Sequence, residues 1–396
     1  MAIYAQHGYG KSDKVDRGLQ SGSLGGVILS PREETPENLQ RYISDVRSRF
    51  HGMQILVDPQ FYSTTMTPVR ERHLPDYDYY RSGLTRSNFI SPTEVSAYVE
   101  ETLEFQRRLQ LSYIVAPTVS FDDFRDIWSQ TALQMGQEAV RYHSECRDPT
   151  PLLVSIVFSE TALRSTQSLQ EFLDIISLFQ TTGFYVIVRR TTSQYQPHLD
   201  FNVLGNLLYL TYALAERNNY EVILGYTDIV GILLHAVGAK ATACGWYSNL
   251  RQFSSARLEP QTGGRQPRPR YTSIPLLNSI LVMPELVETS RVGLIDEVLS
   301  GTTLEQSLRR DPGNVPWPLD TSTLHHWEAL HIATQDIVAQ ASVGARLTLA
   351  LRWIQRAEAI YTNLQNRGVV FDYSSGPGHL DQWQRAIRTF RDTAGI

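Results

Sequence analysis

Polar and aromatic side chains follow several apolar segments of the chain, at the points where those segments end. The candidates are one carboxylate, two adjacent arginines and a group of aromatic and amide side chains: Asp58, Arg189, Arg190, Tyr226, Trp246, Tyr247 and Asn249. Such a set suits a flat polar or anionic ligand, such as a nucleobase or a phosphate. Structural alternatives remain open, because Asp58-Pro59 is also typical of a turn that caps a helix and Trp246 is also typical of a core.

A second group of basic residues lies in the segment that follows Trp246. Five arginines occur there, stiffened by Pro267 and Pro269 and followed by an aromatic residue: Arg251, Arg257, Arg265, Arg268, Arg270 and Tyr271. Arginines at this density predict contacts to the phosphates of a nucleic acid (tRNA, other RNA or DNA) or to an acidic face of a partner protein. A solvated loop is the remaining interpretation.

The elements that must position these residues alternate between apolar strands and helical segments. We predict strands at Gly26–Leu29, Gln54–Val57, Tyr113–Ala116, Leu152–Phe158, Phe184–Val188, Glu221–Leu224 and Ala239–Cys244. Between them, the spacing predicts helices at Pro36–Phe50, Pro92–Gln110, Phe121–Tyr142, Ser168–Gln180, Leu199–Glu216 and Asp228–Ala236. Because strands that alternate with helices pair in parallel, the pattern indicates an α/β fold.

An eighth strand, near Leu281 or at the N-terminus, would complete a (β/α)8 TIM-type barrel. A doubly wound sheet is less favoured, because Ser30-Pro31-Arg32 stands where its glycine-rich fingerprint belongs. The expected organisation is a flexible N-terminal arm over residues 1–24, a barrel over 25–285 and a helical C-terminal extension over 286–396. Gly10-Lys11-Ser12 is no phosphate loop, since Ala5 occupies the position of its first glycine.

Composition restricts the classes of partner and site. The 396 residues carry a formal net charge of −5, so a nucleic acid would need a local basic patch. Cys146 and Cys244 are too few for a disulfide framework or a cysteine-based zinc site, and they favour a reducing cytoplasm. No run of residues has the length of a signal peptide or a membrane span. The sequence predicts no metal site and no cofactor.

Three segments, in order, resemble the tRNA-guanine transglycosylase superfamily. Gln54–Ser63 is similar to its DSGGFQ-type motif, with Asp58 in the place of the aspartate. The stretch VILGYTDIVGILLHAVGAKATACGWYSNLR resembles its LMGVG segment, helix and VDMFDCVxPTRNAR segment, and Tyr271–Asn278 is similar to YSRAYLHHL. The resemblance implies a barrel, a homodimer and a guanine or 7-deazaguanine-type ligand in RNA or DNA.

The departures from that family fall on its chemistry. Ala243 stands at the place of the nucleophilic aspartate, and GGRQPRPR stands at the place of the zinc cysteines. Pro117 or Thr118, Phe158 or Ser159, and Arg189-Arg190 replace its base-reading residues. Since alanine cannot form a covalent glycosyl intermediate, we expect a module that recognises a 7-deazaguanine-type base, or a nucleic acid or protein carrying it. The alternative is an active base-exchange enzyme on a modified purine that uses Asp58. Relatives of this family occur in antiviral gene clusters, so a defence role is a further association.

Overall fold

Eight parallel strands form a nearly closed barrel in the computed structural model, which describes residues 1–192, 199–259 and 267–396. The strands are β1 Ala2–Gln6, β2 Gly26–Leu29, β3 Gln54–Val57, β4 Ile114–Val115, β6 Leu152–Ser159, β7 Gly183–Arg190, β8 Glu221–Gly225 and β9 Ala241–Cys244. They are ordered β3-β2-β1-β9-β8-β7-β6-β4. Between β3 and β4, Ser112 N donates to the Ile55 carbonyl at 2.9 Å and Ser112 Oγ accepts from Ile55 N at 3.0 Å. These two bonds bring the open edges together.

The eighth strand is at the N-terminus, and this corrects the predicted arm. Strand β1 pairs with β2 on one side and with β9 on the other, so it lies inside the barrel wall. Its side chains from Ile3 to Gln6 are buried. The barrel therefore begins at residue 2 rather than at residue 25, and its last strand ends at Cys244 rather than near 285.

Two short strands extend the wall at the carboxyl ends of the barrel strands. Strand β5, Ser120–Phe121, pairs with β6, and β10, Phe253–Ser254, pairs with Arg189 and Arg190 of β7. Because β5 occupies residues 120–121, the helix that was expected to start at Phe121 begins only at Ile127. Strands β5 and β10 therefore lengthen the barrel wall at the carboxyl ends of β6 and β7, where Arg189 and Arg190 lie.

The surrounding helices begin where the sequence supplies caps. They are α1 Lys14–Gln20, α2 Pro36–Arg49, α3 Pro92–Arg107, α4 Ile127–Cys146, α5 Thr166–Ile176, α6 Phe201–Tyr212 and α7 Gly231–Ala236. Thr35 and Ser91 accept backbone N–H groups at the starts of α2 and α3, each followed by a proline that is preformed for a first helical turn. Helix α2 then buries Leu39, Ile43 and Val46 at helical spacing.

The C-terminal part combines an antiparallel hairpin with helices. Strands β11 Arg270–Ser273 and β12 Asn278–Leu281 pair with each other and not with the barrel. The helices are α8 Val287–Arg291, α9 Ile295–Val298, α10 Leu319–Val338, α11 Val343–Asn366 and α12 Gly378–Ala394. Helix α10 packs against β1, α1, α7 and β11, so it joins the hairpin to the barrel.

Two long helices, α10 and α11, make up most of residues 319–366 in the helical C-terminal extension. The break between them falls at residues 339–342, where Ser342 caps the second helix by accepting from Ala345 N at 3.2 Å. In the described part of the chain, no helix combines the length and the apolar character that crossing a membrane requires.

Candidate functional site: an arginine-lined cleft at the barrel mouth

The carboxyl ends of the barrel strands meet at one face, which we call the mouth. In barrels of this kind, the connections that leave this face carry the site. Three residues after strand ends here adopt left-handed backbone conformations: Gln60, with φ of 54°, Tyr226, with φ of 58°, and Asp228, with φ of 46°. Such conformations are unfavourable for residues other than glycine and concentrate at functional sites.

A cleft of about 680 Å³ opens beside the mouth. Its walls come from the connections after β1, β2, β3 and β9, from the hairpin, from the start of α10 and from the loop before α12. We name it the arginine cleft for the six arginines among its lining residues: Arg32, Arg70, Arg72, Arg251, Arg268 and Arg270. Glu33 and Glu259 are the acidic side chains among the described lining residues.

One of these two carboxylates is already shared between two arginines. Glu33 is buried, lies 2.6 Å from Arg32 Nη1 and also forms an ion pair with Arg72. Arg32 is itself buried, and its Nε donates to the Arg70 carbonyl at 2.8 Å. The Arg32–Glu33–Arg72 group therefore fixes this wall and leaves it positively charged.

Arg70 and Arg251 differ from the other cleft arginines, because neither forms an ion pair within the described residues. Arg70 is exposed, and Arg251 is half-buried with its Nε donating to the Gly245 carbonyl at 3.1 Å. The charge of Arg251 is partly balanced by the nearby Asp228 carboxylate, whose pKa it helps to lower, although the two groups do not form a direct ion pair. Because neither guanidinium is in direct contact with a carboxylate of the described residues, both retain donors for an anionic ligand.

Arg268 and Arg270 form the opposite wall with the loop before α12. Arg270 donates to the Ser279 carbonyl at 2.6 Å and to Ser374 Oγ at 2.6 Å, so it holds the hairpin to that loop. Arg268 is largely exposed and lies 3.4 Å from Asp372. Arg270 is consequently a structural residue as well as part of the cleft wall, whereas Arg268 is held only by an exposed ion pair with Asp372.

The aromatic and amide residues after β9 divide between the core and the rim of the cleft. Trp246 is buried, and its Nε1 donates to the Tyr9 carbonyl at 2.9 Å. Tyr247 is 37 % exposed and Asn249 is partly exposed, and both line the cleft. Trp246 is therefore an anchor for the wall, and Tyr247 and Asn249 are the side chains that a ligand can reach.

The predicted pair Arg189 and Arg190 lies outside the arginine cleft. Arg189 forms an ion pair with Asp122 and donates to Ser120 Oγ at 3.2 Å. Arg190 Nε donates to Glu160 at 2.7 Å, and the side chain lines a small cavity of about 50 Å³ together with Tyr226 and with Arg251, which also lines the arginine cleft. Protein carboxylates occupy the positions at which an anionic ligand was expected.

Asp58 lies inside the barrel and not on the cleft wall. It is 1 % exposed and accepts hydrogen bonds from Tyr62 Oη at 2.9 Å, Gln60 N at 3.1 Å and Tyr185 Oη at 3.5 Å. Gln6 is also fully buried in this wall, and its amide atoms have no hydrogen-bond partner among the described residues. Asp58 is thus part of an internal polar layer that closes the mouth end of the barrel.

Three further residues were predicted to contact a nucleic acid or a partner protein: Arg257, Arg265 and Tyr271. Tyr271 is fully buried, donates to Glu305 at 2.5 Å and stacks on His325, so the prediction that it contacts a partner is wrong in this structure. The backbone of Arg257 belongs to a short turn, Ser255–Arg257. Arg265 lies outside the described residues.

A buried cluster beneath the mouth was not predicted. His326 Nε2 lies 3.3 Å from Asp228 and 3.6 Å from Cys244 Sγ, and its Nδ1 lies 2.8 Å from Thr272 Oγ1. Burial, together with the charge of Arg251, lowers the pKa of His326 to about 4. Burial also raises the pKa of Cys244 to about 12, so the thiol stays protonated and is a poor nucleophile.

The carboxylate of this cluster remains ionised. Burial acts to raise the pKa of Asp228, but His326 and Arg251 together hold it below its usual value. A neutral His326 that carries its proton on Nε2 would direct that proton toward Asp228 and accept from Thr272 at Nδ1. Across the described ranges, no three histidine, cysteine or acidic side chains are grouped so as to hold a metal ion.

Six charged or aromatic residues of the described cleft lining were not predicted from the sequence: Tyr9, Arg32, Glu33, Arg70, Arg72 and Glu259. Arg32 follows β2 almost directly, so the rule that drew attention to other strand ends could have found it. Arg70 and Arg72 lie in a long connection without sequence periodicity, and only the fold brings them to the mouth.

Comparison with known proteins adds no family assignment. No protein-family model matches the chain, and no curated protein matches it.

Proposed function

We propose that the arginine cleft binds the backbone of a nucleic acid. The observation that supports this proposal is the set of six guanidinium groups in one cleft, of which Arg70 and Arg251 form no direct ion pair with a carboxylate of the described residues. Guanidinium groups bind phosphate through paired hydrogen bonds, and phosphate contacts provide most of the affinity of nucleic-acid binding proteins.

The charge distribution favours local rather than general binding. The chain has a net charge of −5, so most of its surface repels a polyanion. The cleft has six arginines against two glutamates among its described lining residues. A positively charged cleft on an acidic protein concentrates the attraction at one place, which directs the ligand to the mouth.

The volume of the cleft limits how much of a strand it holds. At about 680 Å³ it lies within the range of about 300–1,000 Å³ that is typical of small-ligand sites. It therefore accommodates a few nucleotides, and the rest of a longer strand lies on the surface.

The resemblance to the tRNA-guanine transglycosylase superfamily extends the proposal to the base. A 7-deazaguanine-type base within the bound nucleic acid, or carried by a protein, would present a ring and a polar edge. Tyr247 and Asn249 on the rim supply an aromatic face and an amide, which suit these two features. Dimerisation, implied by the same resemblance, also stays a prediction.

Base exchange through Asp58 is less well supported than binding. The carboxylate is buried, accepts three hydrogen bonds and does not line the cleft. A general acid or nucleophile must reach the atom with which it reacts. An enzyme of this kind would have to open the layer formed by Tyr62 and Tyr185.

The test compares Arg70→Gln and Arg268→Gln with Arg352→Gln. Arg70 and Arg268 are exposed cleft residues, and Arg352 is an exposed arginine on α11 that serves as the matched control. Arg270 is unsuitable because its loss would disturb the loop before α12. Fluorescence anisotropy with single-stranded RNA, tRNA and duplex DNA, at about 50 and 200 mM salt, gives affinities and salt slopes.

Each cleft variant should bind more weakly than the parent and lose about 0.7 to 0.9 from the logarithmic salt slope for each phosphate contact removed. Arg352→Gln should behave as the parent does. Equal affinities and slopes for all three variants would contradict nucleic-acid binding at this cleft and redirect the search to an acidic partner protein.

A further inference from the structure

We propose that Tyr9 and Tyr247 form a base-stacking platform on the cleft wall, so that the cleft selects single-stranded over duplex nucleic acid. This inference rests on the proposed function and specifies its substrate class. Both residues line the arginine cleft, and their exposed fractions are 69 % for Tyr9 and 37 % for Tyr247. They are two of the exposed large hydrophobic side chains of the described structure.

The two tyrosines are held in place from behind. Trp246 Nε1 donates to the Tyr9 carbonyl at 2.9 Å, and the Trp246 ring packs edge-on against the fully buried Trp327. A Cβ atom on Gly10 would lie 3.0 Å from Tyr247 Oη, so the segment after Tyr9 passes close to the Tyr247 hydroxyl group. The platform is therefore linked to the core through Trp246, and its two rings remain exposed.

An arginine of the cleft stacks on the same platform. The Arg72 guanidinium lies 5.3 Å from the centroid of the Tyr9 ring, and this residue also forms an ion pair with Glu33. Sites for single strands combine a basic groove that follows the backbone with aromatic rings on which successive bases stack. The cleft arginines supply the basic groove, and Tyr9 and Tyr247 supply the aromatic rings on the same wall.

A base can stack on a tyrosine ring only if one of its faces is not covered by an adjacent base. In a duplex, the faces of the bases are covered by adjacent base pairs, whereas loops and single strands expose them. Every base has an aromatic face, so the platform should show little sequence preference. The cleft should consequently bind single-stranded regions, including the loops of a folded RNA, more tightly than it binds a duplex.

The test uses a short single-stranded oligonucleotide and an abasic oligonucleotide of equal length, which has the same phosphates and no bases. The variants are Tyr9→Leu and Tyr247→Leu, with Tyr9→Phe and Tyr247→Phe as matched controls that retain the rings. Thermal unfolding of each variant checks that these surface changes leave the fold intact. Affinities are measured by fluorescence anisotropy at one salt concentration.

Each leucine variant should lose about five-fold or more in affinity for the intact strand, and each phenylalanine variant should bind as the parent does. The parent should bind the abasic strand and the duplex more weakly than the intact strand. Equal binding of the abasic and intact strands by the parent, or equal affinities of the leucine and phenylalanine variants, would overturn the platform.

The two proposals fail separately in this design. If Arg70→Gln weakens binding but the leucine variants do not, the cleft binds phosphates and the platform is wrong. If the leucine variants weaken binding but Arg70→Gln does not, the platform stands and the phosphate-binding cleft is wrong.

Discussion

The arginines at the mouth differ in whether a carboxylate of the protein forms an ion pair with them. Arg190 has Glu160 at 2.7 Å and Arg189 has Asp122, whereas Arg70 and Arg251 form no direct ion pair with a carboxylate of the described residues. Ion pairs inside a protein consume the capacity of a guanidinium to bind an external anion. Arg70 and Arg251, together with the largely exposed Arg268, are therefore better placed to contact phosphate than the arginines at the end of β7.

Asp58→Asn should destabilise the protein and leave nucleic-acid affinity unchanged. The amide oxygen can accept from only part of the set formed by Gln60 N, Tyr62 and Tyr185, so a buried donor is left unsatisfied. We expect a loss of about 1–3 kcal/mol in the free energy of unfolding, measured by chemical denaturation. The exposed Asp174→Asn is the control. Unchanged stability with abolished base exchange would instead support the enzymatic alternative.

At the scale of elements, helix α10 carries three consecutive buried side chains that connect separate parts of the fold. His325 Nε2 donates to the Thr272 carbonyl at 2.9 Å, and Trp327 Nε1 donates to the Cys244 carbonyl at 3.1 Å. His326 lies between Asp228 and the hairpin. The helix therefore ties the hairpin wall of the arginine cleft to the barrel.

The neutral histidines of α10 predict a loss of stability in acid. Burial lowers the pKa of His325 to about 3 and that of His326 to about 4, below the usual value of 6.5. Between these pKa values and about 6.5, the unfolded chain binds protons that the folded chain does not, so stability falls as pH falls through that window. The slope is at most about 1.4 kcal/mol per pH unit for each histidine.

Denaturant titrations at a series of pH values measure this effect. His326→Gln should show a shallower dependence on pH than the parent between about pH 6.5 and 4, because it removes one group with a lowered pKa. The exposed His51→Gln should keep the dependence of the parent. If the slopes of His326→Gln and the parent coincide, the buried histidine does not contribute to acid sensitivity.

At the scale of the whole molecule, the first strand is central to the barrel although it is first in the chain. Strand β1 is hydrogen-bonded on both sides, to β2 and to β9, and Tyr9 and Gly8 follow it directly into the cleft wall. The N-terminal segment thus contributes both to the closure of the barrel and to the candidate site.

Deletion of residues 2–7 should prevent folding. It removes the partner of two strands and leaves their backbone groups without hydrogen bonds in a buried wall. We expect no cooperative thermal transition by circular dichroism. Deletion of residues 395–396, which end helix α12, is the control and should keep the transition. A cooperative transition in the N-terminal deletion, at the temperature of the parent, would show that β1 is dispensable.

The amino-acid sequence by itself determined seven of the eight barrel strands, most of the helices between them and their α/β class. Strands such as Leu152–Ser159 are continuous apolar runs, and helices such as α2 and α3 begin at Thr35 and Ser91 with a following proline. These signals are local, because caps and apolar runs act within a few residues. Alternation of the two types then predicted a parallel barrel, and the structure confirms it.

Only the tertiary structure decided which residues form the site. Arg70, Arg251 and Arg268 come from different connections, and their convergence depends on how the hairpin and α10 pack against the mouth. Whether an arginine is free depends equally on distant carboxylates, as with Arg190 and Glu160. The inclusion of β1 in the barrel was also decided by the tertiary structure. Its hydrogen-bond partners include β9, which lies more than 230 residues away, and the five residues of β1 alone do not specify that pairing.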